Sequence, residues 1–138
     1  MSQTRIAAAG RAPDRIGPFP GPDPIRPQWF AGLQEHRLGR AVGVNQFGVN
    51  LITLEPGGYS ALRHWHEGED ELVYVLFGEL VLIDDNGEHA LGPGDCVGFP
   101  AGEPNAHHLV NRSSAPARFL CVGARKRGED GERTPPPT

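Results

Sequence analysis

Short apolar runs broken by turn residues constrain what the middle of this chain can fold into. Between residues 46 and 122, about eight runs rich in Val, Leu, Ile and aromatic residues alternate with clusters of Gly, Pro, Asn and Asp. Such clusters end regular structure, and short runs at regular spacing are typical of sandwiches and barrels. The pattern therefore predicts an all-β domain, with strands at 46–54, 60–66, 71–77, 79–83, 88–91, 96–99, 107–111 and 117–122.

The two ends of the chain differ in composition from the middle. Six prolines lie between residues 1 and 28, which argues against a sustained helix or a central strand there. We expect residues 1–28 to form an irregular Pro-rich arm that lies on the surface or is disordered. Residues 125–138 lack a cluster of apolar side chains to bury, so we expect a flexible tail. The domain between them spans 29–124, and only 29–38 favours a short helix.

Composition excludes some classes of function. A chain of 138 residues favours one domain, and a net charge of −4 argues against a nucleic-acid partner, which usually requires a basic surface. No apolar run approaches the ~18 residues of a membrane span, and the N-terminus is too weakly apolar for a signal peptide. We therefore expect a cytoplasmic protein with no membrane partner. In a reducing compartment Cys96 and Cys121 are expected to be buried free thiols without a catalytic role.

The most informative side chains of the predicted domain are histidines. His64 and His66 would point to the same face of a strand, about 7 Å apart, because alternate side chains share a face at roughly 3.3 Å per residue. Two imidazoles so placed can bind one metal ion, and Glu71 can add a carboxylate from the start of the next strand. A third imidazole is available at His107 or His108.

The remaining two histidines carry no such pattern. His36 and His89 each have charged neighbours in the sequence, and we expect them to be surface or hydrogen-bonded side chains.

The segment from Gly58 to Gly78 resembles a motif of a known family. It follows the spacing Gly-x5-His-x-His-x4-Glu-x6-Gly, which is the first motif of the cupins, at every specified position. The segment from Gly94 to Gly102 follows Gly-x5-Pro-x-Gly, the first half of the second cupin motif. The chain is similar to small single-domain cupins of the conserved-barrel type over residues 46–123.

The second half of the second motif departs from the cupin pattern in its spacing. Four residues, 103–106, precede the histidine where the family usually has two. A loop accommodates two extra residues at little cost. Of the two adjacent histidines, His107 is favoured because it keeps the His-x3-Asn spacing to Asn111.

The resemblance implies a fold and a metal site. The fold is a double-stranded β-helix, or jelly-roll barrel, and cupins commonly form homodimers. Carried over position by position, the ligands of one divalent transition metal ion are His64, His66, Glu71 and His107. Such nitrogen and oxygen ligands suit Zn, Fe, Mn, Ni or Co without choosing among them.

The resemblance also implies a small-molecule ligand and leaves the activity open. Oxygenase, isomerase and lyase chemistries all occur on this fold, so we expect a metal-dependent enzyme of one of these types. A metal- and ligand-binding sensor without catalysis is the alternative. A closed structural zinc site is a third possibility.

Two neighbouring residues are expected to shape the barrel. Gly78 should allow a tight turn with a positive φ between two strands. If Glu71 faces the interior, strict alternation places Phe77 inside too, where it would narrow or line the pocket. Phe77 could instead belong to a dimer interface.

Overall fold

The protein consists mainly of β-strands in two antiparallel sheets. The structure is a computed structural model that describes residues 4–17, 30–61 and 64–124. The predicted tail at 125–138, half of the Pro-rich arm (residues 1–3 and 18–28) and the first residue of the predicted helix lie outside the described residues. The strands are β1 (Arg15–Ile16), β2 (Gln34–Arg37), β3 (Phe47–Leu54), β4 (Glu71–Phe77), β5 (Leu80–Asp84), β6 (Gly87–Leu91), β7 (Cys96–Phe99), β8 (His108–Val110) and β9 (Ala117–Ala124).

The strand order defines a large and a small sheet that enclose one core. The large sheet has the order β1-β2-β3-β9-β4-β7, and the small sheet has the order β6-β5-β8. Their facing sides bury a continuous apolar cluster, which includes Leu54, Val75, Leu82, Leu109 and Phe119. This all-β antiparallel arrangement agrees with the predicted fold class. The metal-binding candidates all lie at one end of this core.

The predicted strands agree with the observed ones except in one place. Strands β4 and β7 have the predicted bounds, and the others differ by one or two residues at their ends. The prediction of a continuous strand at 60–66 is wrong, because the described residues 59–61 and 64–66 form only the isolated bridges Tyr59–Val110 and His64–His107. Between these bridges the Ser60 N–H donates to the carbonyl of Leu109 at 2.9 Å. The Ser60 hydroxyl accepts the Leu109 N–H at 2.9 Å, so a side chain replaces a backbone partner in the ladder.

The predicted helix at 29–38 is also wrong. Residues Gln34–Arg37 form β2 and pair with β3, and a four-residue helix, α1 (Leu38–Ala41), follows them. Pairing with neighbouring strands overrides the weak local preference of such a segment. A short 3-10 helix (Ala8–Gly10) precedes β1, which adds an edge strand beside β2. None of the helices in the described ranges is long and apolar enough to cross a membrane.

The orientation of Phe77 differs from strict alternation. Val75 pairs with Phe119 on β9, but Phe77 pairs with the next residue, Arg118, so Leu76 is an extra residue. A β-bulge of this kind reverses the facing of the residues beyond it. Phe77 is consequently 58% exposed, whereas Val75 is fully buried. Phe77 therefore does not line the interior.

The turn after β4 confirms the role predicted for Gly78. Its φ is +80°, and an added Cβ would lie 2.7 Å from the carbonyl oxygen of Pro116 and 2.9 Å from the Cβ of Ala117. Both the backbone conformation and the close approach therefore require glycine.

Replacing Gly78 with alanine should destabilise the protein measurably. The left-handed backbone alone costs about 1–2 kcal/mol with a side chain, and the contact with residues 116–117 adds to that cost. The measurement is the free energy of unfolding in urea. The matched control is Gly92→Ala, since a Cβ at Gly92 meets nothing within 4 Å and its φ is not positive. Equal stability of the two variants would contradict this account.

Candidate metal centre

The backbone brings two of the predicted ligands together from distant segments. The N–H of His64 donates to the carbonyl of His107 at 3.2 Å, and the N–H of His107 donates to the carbonyl of His64 at 2.9 Å. Residues that exchange both bonds lie directly opposite one another with their side chains on the same face. The two imidazole centroids are accordingly 5.0 Å apart.

His66 and Glu71 complete a compact group with His64. The imidazoles of His64 and His66 lie 5.0 Å apart, edge to face. Glu71 is the first residue of β4 and pairs with Phe99 on β7 and Gly123 on β9, which directs its carboxylate to the inner face. One ligand atom from each of His64, His66 and Glu71 lies within 4.8 Å of the others. These three side chains are therefore close enough to hold one metal ion.

His107 contacts this group through Glu71. Its Nε2 lies 2.8 Å from Glu71 Oε1, while its Nδ1 lies 3.0 Å from the carbonyl oxygen of Asn105. A carbonyl only accepts, so Nδ1 carries the proton and a neutral ring presents a lone pair at Nε2. A lone pair and a carboxylate oxygen face each other only if a cation, either a proton or a metal ion, lies between them. The donor set therefore fits a divalent cation.

The surroundings of Glu71 keep its carboxylate ionised. Burial alone would raise the pKa of Glu71, but the contacts with His107 and His66 and the nearby His64 outweigh burial and hold the pKa well below its usual range. Metal ligands must be deprotonated to bind. Glu71 is thus an anion at neutral pH.

The four residues of the lengthened motif position His107. Besides accepting from His107, Asn105 accepts the Asp85 N–H at 3.0 Å through its side-chain oxygen and contacts Asp84 through its side-chain nitrogen at 3.3 Å. The loop is thereby fixed to the turn between β5 and β6. Carbonyl groups that accept from a histidine ring typically orient that ring for metal binding.

The second histidine of the pair is directed elsewhere. His108 contacts the carbonyl of Ala61 through Nδ1 at 2.8 Å, and its ring packs against Tyr59. The structure therefore places His107, and not His108, beside Glu71. His36 and His89 each make a side-chain hydrogen bond away from the site, to the carbonyl of Arg11 and to Asp84 respectively.

Cys121 touches the site and was not identified from the sequence. Its Sγ lies 3.3 Å from Glu71 Oε2, the carboxylate oxygen that His107 does not contact. Burial, and then the charge of Glu71, raises the pKa of this thiol, so it stays protonated and donates its hydrogen. Both cysteines are free, as predicted, but Cys96 is exposed and not buried.

Two openings adjoin the group. A cavity of about 20 Å³ is lined by His66, Phe99 and His107 among others, and it has room for one water molecule. A cleft of about 540 Å³ opens where four strand ends meet, and Glu71 forms part of its wall. Most of its other lining residues are apolar, and Phe47, Leu72 and Val122 among them lie on the outer face of the large sheet, opposite to the Glu71 carboxylate.

Comparison with known families identifies the family of the domain. The family model for the cupin domain matches residues 50–123, more than half of the chain, and this range contains both motifs. The chain belongs to the cupin family. The predicted jelly-roll fold is confirmed by solved cupin structures. One, described as a sugar phosphate isomerase of the cupin superfamily from Silicibacter pomeroyi, is 47% identical, has a TM-score of 0.80, and is matched over 89% of this chain and 76% of its own.

Other cupins are similar over smaller regions. An oxalate-binding protein from Thermotoga maritima is 36% identical over 49% of this chain and 54% of its own length. Quercetin 2,3-dioxygenase from Bacillus subtilis is 25% identical over 86% of this chain and 36% of its own length. The chain thus spans about half or less of these two curated relatives.

Cys121 should support metal binding through Glu71. Cys121→Ala removes the hydrogen bond to Oε2, and loss of such a supporting contact typically weakens metal affinity about 10- to 100-fold. Cys121→Ser keeps a donor and should bind metal nearly as well as the wild type. Affinity is measured by competition with a chromogenic chelator.

Cys96→Ser is the control for general effects of removing a thiol, because Cys96 is exposed. Wild-type metal affinity in Cys121→Ala would show that the contact has no supporting role.

Proposed function

We propose that this cupin is a metal-dependent enzyme acting on a small organic ligand, with His64, His66, Glu71 and His107 as the protein ligands of one divalent transition metal ion. One observation carries the proposal: ligand atoms of His64, His66 and Glu71 lie within 4.8 Å of one another, and His107 Nε2 lies 2.8 Å from Glu71 Oε1. The cavity of about 20 Å³ beside His66 and His107 has room for one water molecule, so a ligand atom could bind next to the ion.

The donor set supports this chemistry without selecting the metal. Three neutral imidazoles and one carboxylate leave a net positive charge with a 2+ ion, and such ligands suit Zn, Fe, Mn, Ni or Co. When bound, the ion would supply Lewis acidity or a site for dioxygen. The protein's own residues would hold the ion and would exclude bulk water with Phe99, whose ring stacks on that of His107 with the two centroids 3.5 Å apart.

The named relatives support small, oxygen-rich ligands. Oxalate, quercetin and sugar phosphates, taken from the names of the relatives, all offer oxygen atoms to a metal ion. They imply binding, oxygenase and isomerase activities respectively, so they do not fix the reaction. The two free cysteines are what a reducing compartment favours, which supports our proposal of a cytoplasmic location.

We also propose that two copies pair through the outer face of the large sheet. Strand β4 exposes Leu72, Tyr74, Leu76 and Phe77, each at least 40% accessible. Monomers rarely expose a contiguous apolar patch larger than a few hundred Å². A flat row of such side chains is complementary to itself across a two-fold axis, so a second copy is the occupant that we propose.

Loss of His107 should abolish tight metal binding. Removing a direct ligand should weaken affinity by at least the roughly 10- to 100-fold that loss of a supporting contact costs. The measurement is metal content after dialysis together with a titration of the apoprotein. The matched control is His89→Ala, since His89 is exposed and bonded to Asp84 away from the site. Metal loss in His108→Ala with retention in His107→Ala would reverse the assignment of the fourth ligand.

Substitution with cobalt tests whether the site is open. We expect the visible spectrum of the Co-loaded protein to change when azide is added, because an open site exchanges its non-protein ligands. A four-coordinate spectrum that ignores added anions would indicate a closed structural site. Ligand binding without turnover would support the sensor alternative.

Charge on the exposed face of β4 should separate the proposed dimer. Tyr74→Glu buries a carboxylate in an apolar interface, so we expect a monomer by light scattering after gel filtration. The control is Ala90→Glu, because Ala90 is exposed on the small sheet. A wild-type protein that is already monomeric at micromolar concentration would contradict the proposal.

A further inference from the structure

Strand β2 carries charged residues on the inner face of the large sheet, where an apolar core is usual. Arg37 lies in register with Asn50 on β3, and Asn50 with Cys121 on β9. Directly paired residues of neighbouring strands share a face. Since the Cys121 thiol contacts Glu71 inside the barrel, the side chains of Asn50 and Arg37 are on the interior side of the sheet as well.

These two side chains lie at the same end of the barrel as the metal group. Arg37 is the last residue of β2, and its row contains Cys121 on β9 and Val73 on β4. This row is the next one on the inner face after the row that pairs Glu71 with Gly123. Strands β2 and β4 are separated by β3 and β9, which is ~14 Å at the usual spacing between strands. Gly123 on β9 lies between these two strands, and it has no side chain to fill this part of the interior. A ligand of a few carbon atoms can therefore reach from the metal group towards Arg37.

The hydrogen bonding of Arg37 leaves part of its guanidinium available. Its Nε donates to Glu35 Oε1 at 3.0 Å, and within the described ranges the two terminal nitrogens make no hydrogen bond. Glu35 is shared, because its other oxygen lies 3.4 Å from Arg15. Arg37, Glu35 and Arg15 together carry one net positive charge. The Arg37 side chain is 35% exposed, so solvent and solutes reach this part of the interior.

Asn50 is a second polar group on the inner face. Its side chain is half-buried, and its amide makes no hydrogen bond with any residue in the part of the chain that the structure describes, so it is available to a ligand. An amide N–H beside a guanidinium is a pair of donors suited to the oxygens of one anion.

We propose that Arg37 and Asn50 bind the anionic group, a phosphate or a carboxylate, of the ligand whose other end reaches the metal. The inference rests on the proposed function for the position of the metal, and it adds the chemical class of the ligand. Both groups present several negative oxygens to a planar guanidinium, and the structure supports this shared chemistry. The neighbouring Glu35 neutralises part of the charge of Arg37 in the absence of the anion.

Calorimetric titration of the metal-loaded full chain tests the proposal with two matched pairs of probes. Ribose 5-phosphate is compared with neutral ribose, and glucuronate with neutral glucose. Arg37→Gln should weaken binding of the phosphate or of the carboxylate about 10- to 100-fold, since hydrogen bonds to charged groups contribute about 1.5–3 kcal/mol. Whichever anion loses affinity identifies the class. Binding of metal should stay unchanged.

Further variants separate binding from a structural role. Arg37→Lys should recover part of the affinity, because lysine keeps the charge but not the planar fork. Glu35→Gln should tighten anion binding by removing the competing carboxylate, an effect that a merely structural role would not produce. Asn50→Ala, a milder change, should weaken anion binding even if Arg37→Gln folds poorly. Arg40→Gln is the matched control, since Arg40 is exposed three residues further on.

The outcomes distinguish this proposal from the proposed function. If the wild type binds metal and Arg37→Gln binds both anions as tightly as the wild type does, the anion site is wrong and the metal site stands. The same conclusion follows if the neutral sugars bind as tightly as their anions. If the wild type binds no metal, the proposed function fails, and the same titrations on the metal-free protein still decide the role of Arg37.

Discussion

The arrangement of the site depends on the pairing between the segment that starts at Gly57 and strand β8. The Gly57 N–H donates to the carbonyl of Asn111, the Asn111 N–H donates to Gly58, and His64 and His107 exchange both of their backbone bonds. The fully buried amide of Asn111 reinforces this pairing through bonds to the carbonyls of Leu54 and Ala115. Without this pairing the histidines of the two motifs would not share a face, and their imidazoles would not lie close to Glu71.

Glu71 is the electrostatic centre of the site. One of its oxygens contacts His107, and the other faces His66 and the Cys121 thiol. A carboxylate held by several donors in a buried place stays ionised and well oriented, which is the condition for a metal ligand. The proposed chemistry therefore depends on the first residue of one strand, β4.

The loop before His107 is two residues longer than in the cupin motif, but His107 still lies beside Glu71. The two extra residues could have shifted the histidine, but Asn105 fixes the loop to Asp84 and Asp85 and orients the His107 ring through its own carbonyl. The polar inner end of β2 is a departure of another kind. Arg37 and Glu35 break the apolar pattern expected inside a barrel, and such breaks concentrate where a protein binds something.

The sequence by itself determined the strand pattern, the cupin motifs and the identity of the candidate ligands, because the period of a strand and the spacing of ligands are local properties. It also predicted the positive φ of Gly78. The tertiary structure decided what depends on partners: the outward turn of Phe77 at a bulge, the pairing of β2 where a helix was predicted, and the contact of Cys121 with Glu71. It also placed His107 rather than His108 beside Glu71. Each of these features is set by hydrogen bonds to residues distant in sequence, and local propensity contains no information about such partners.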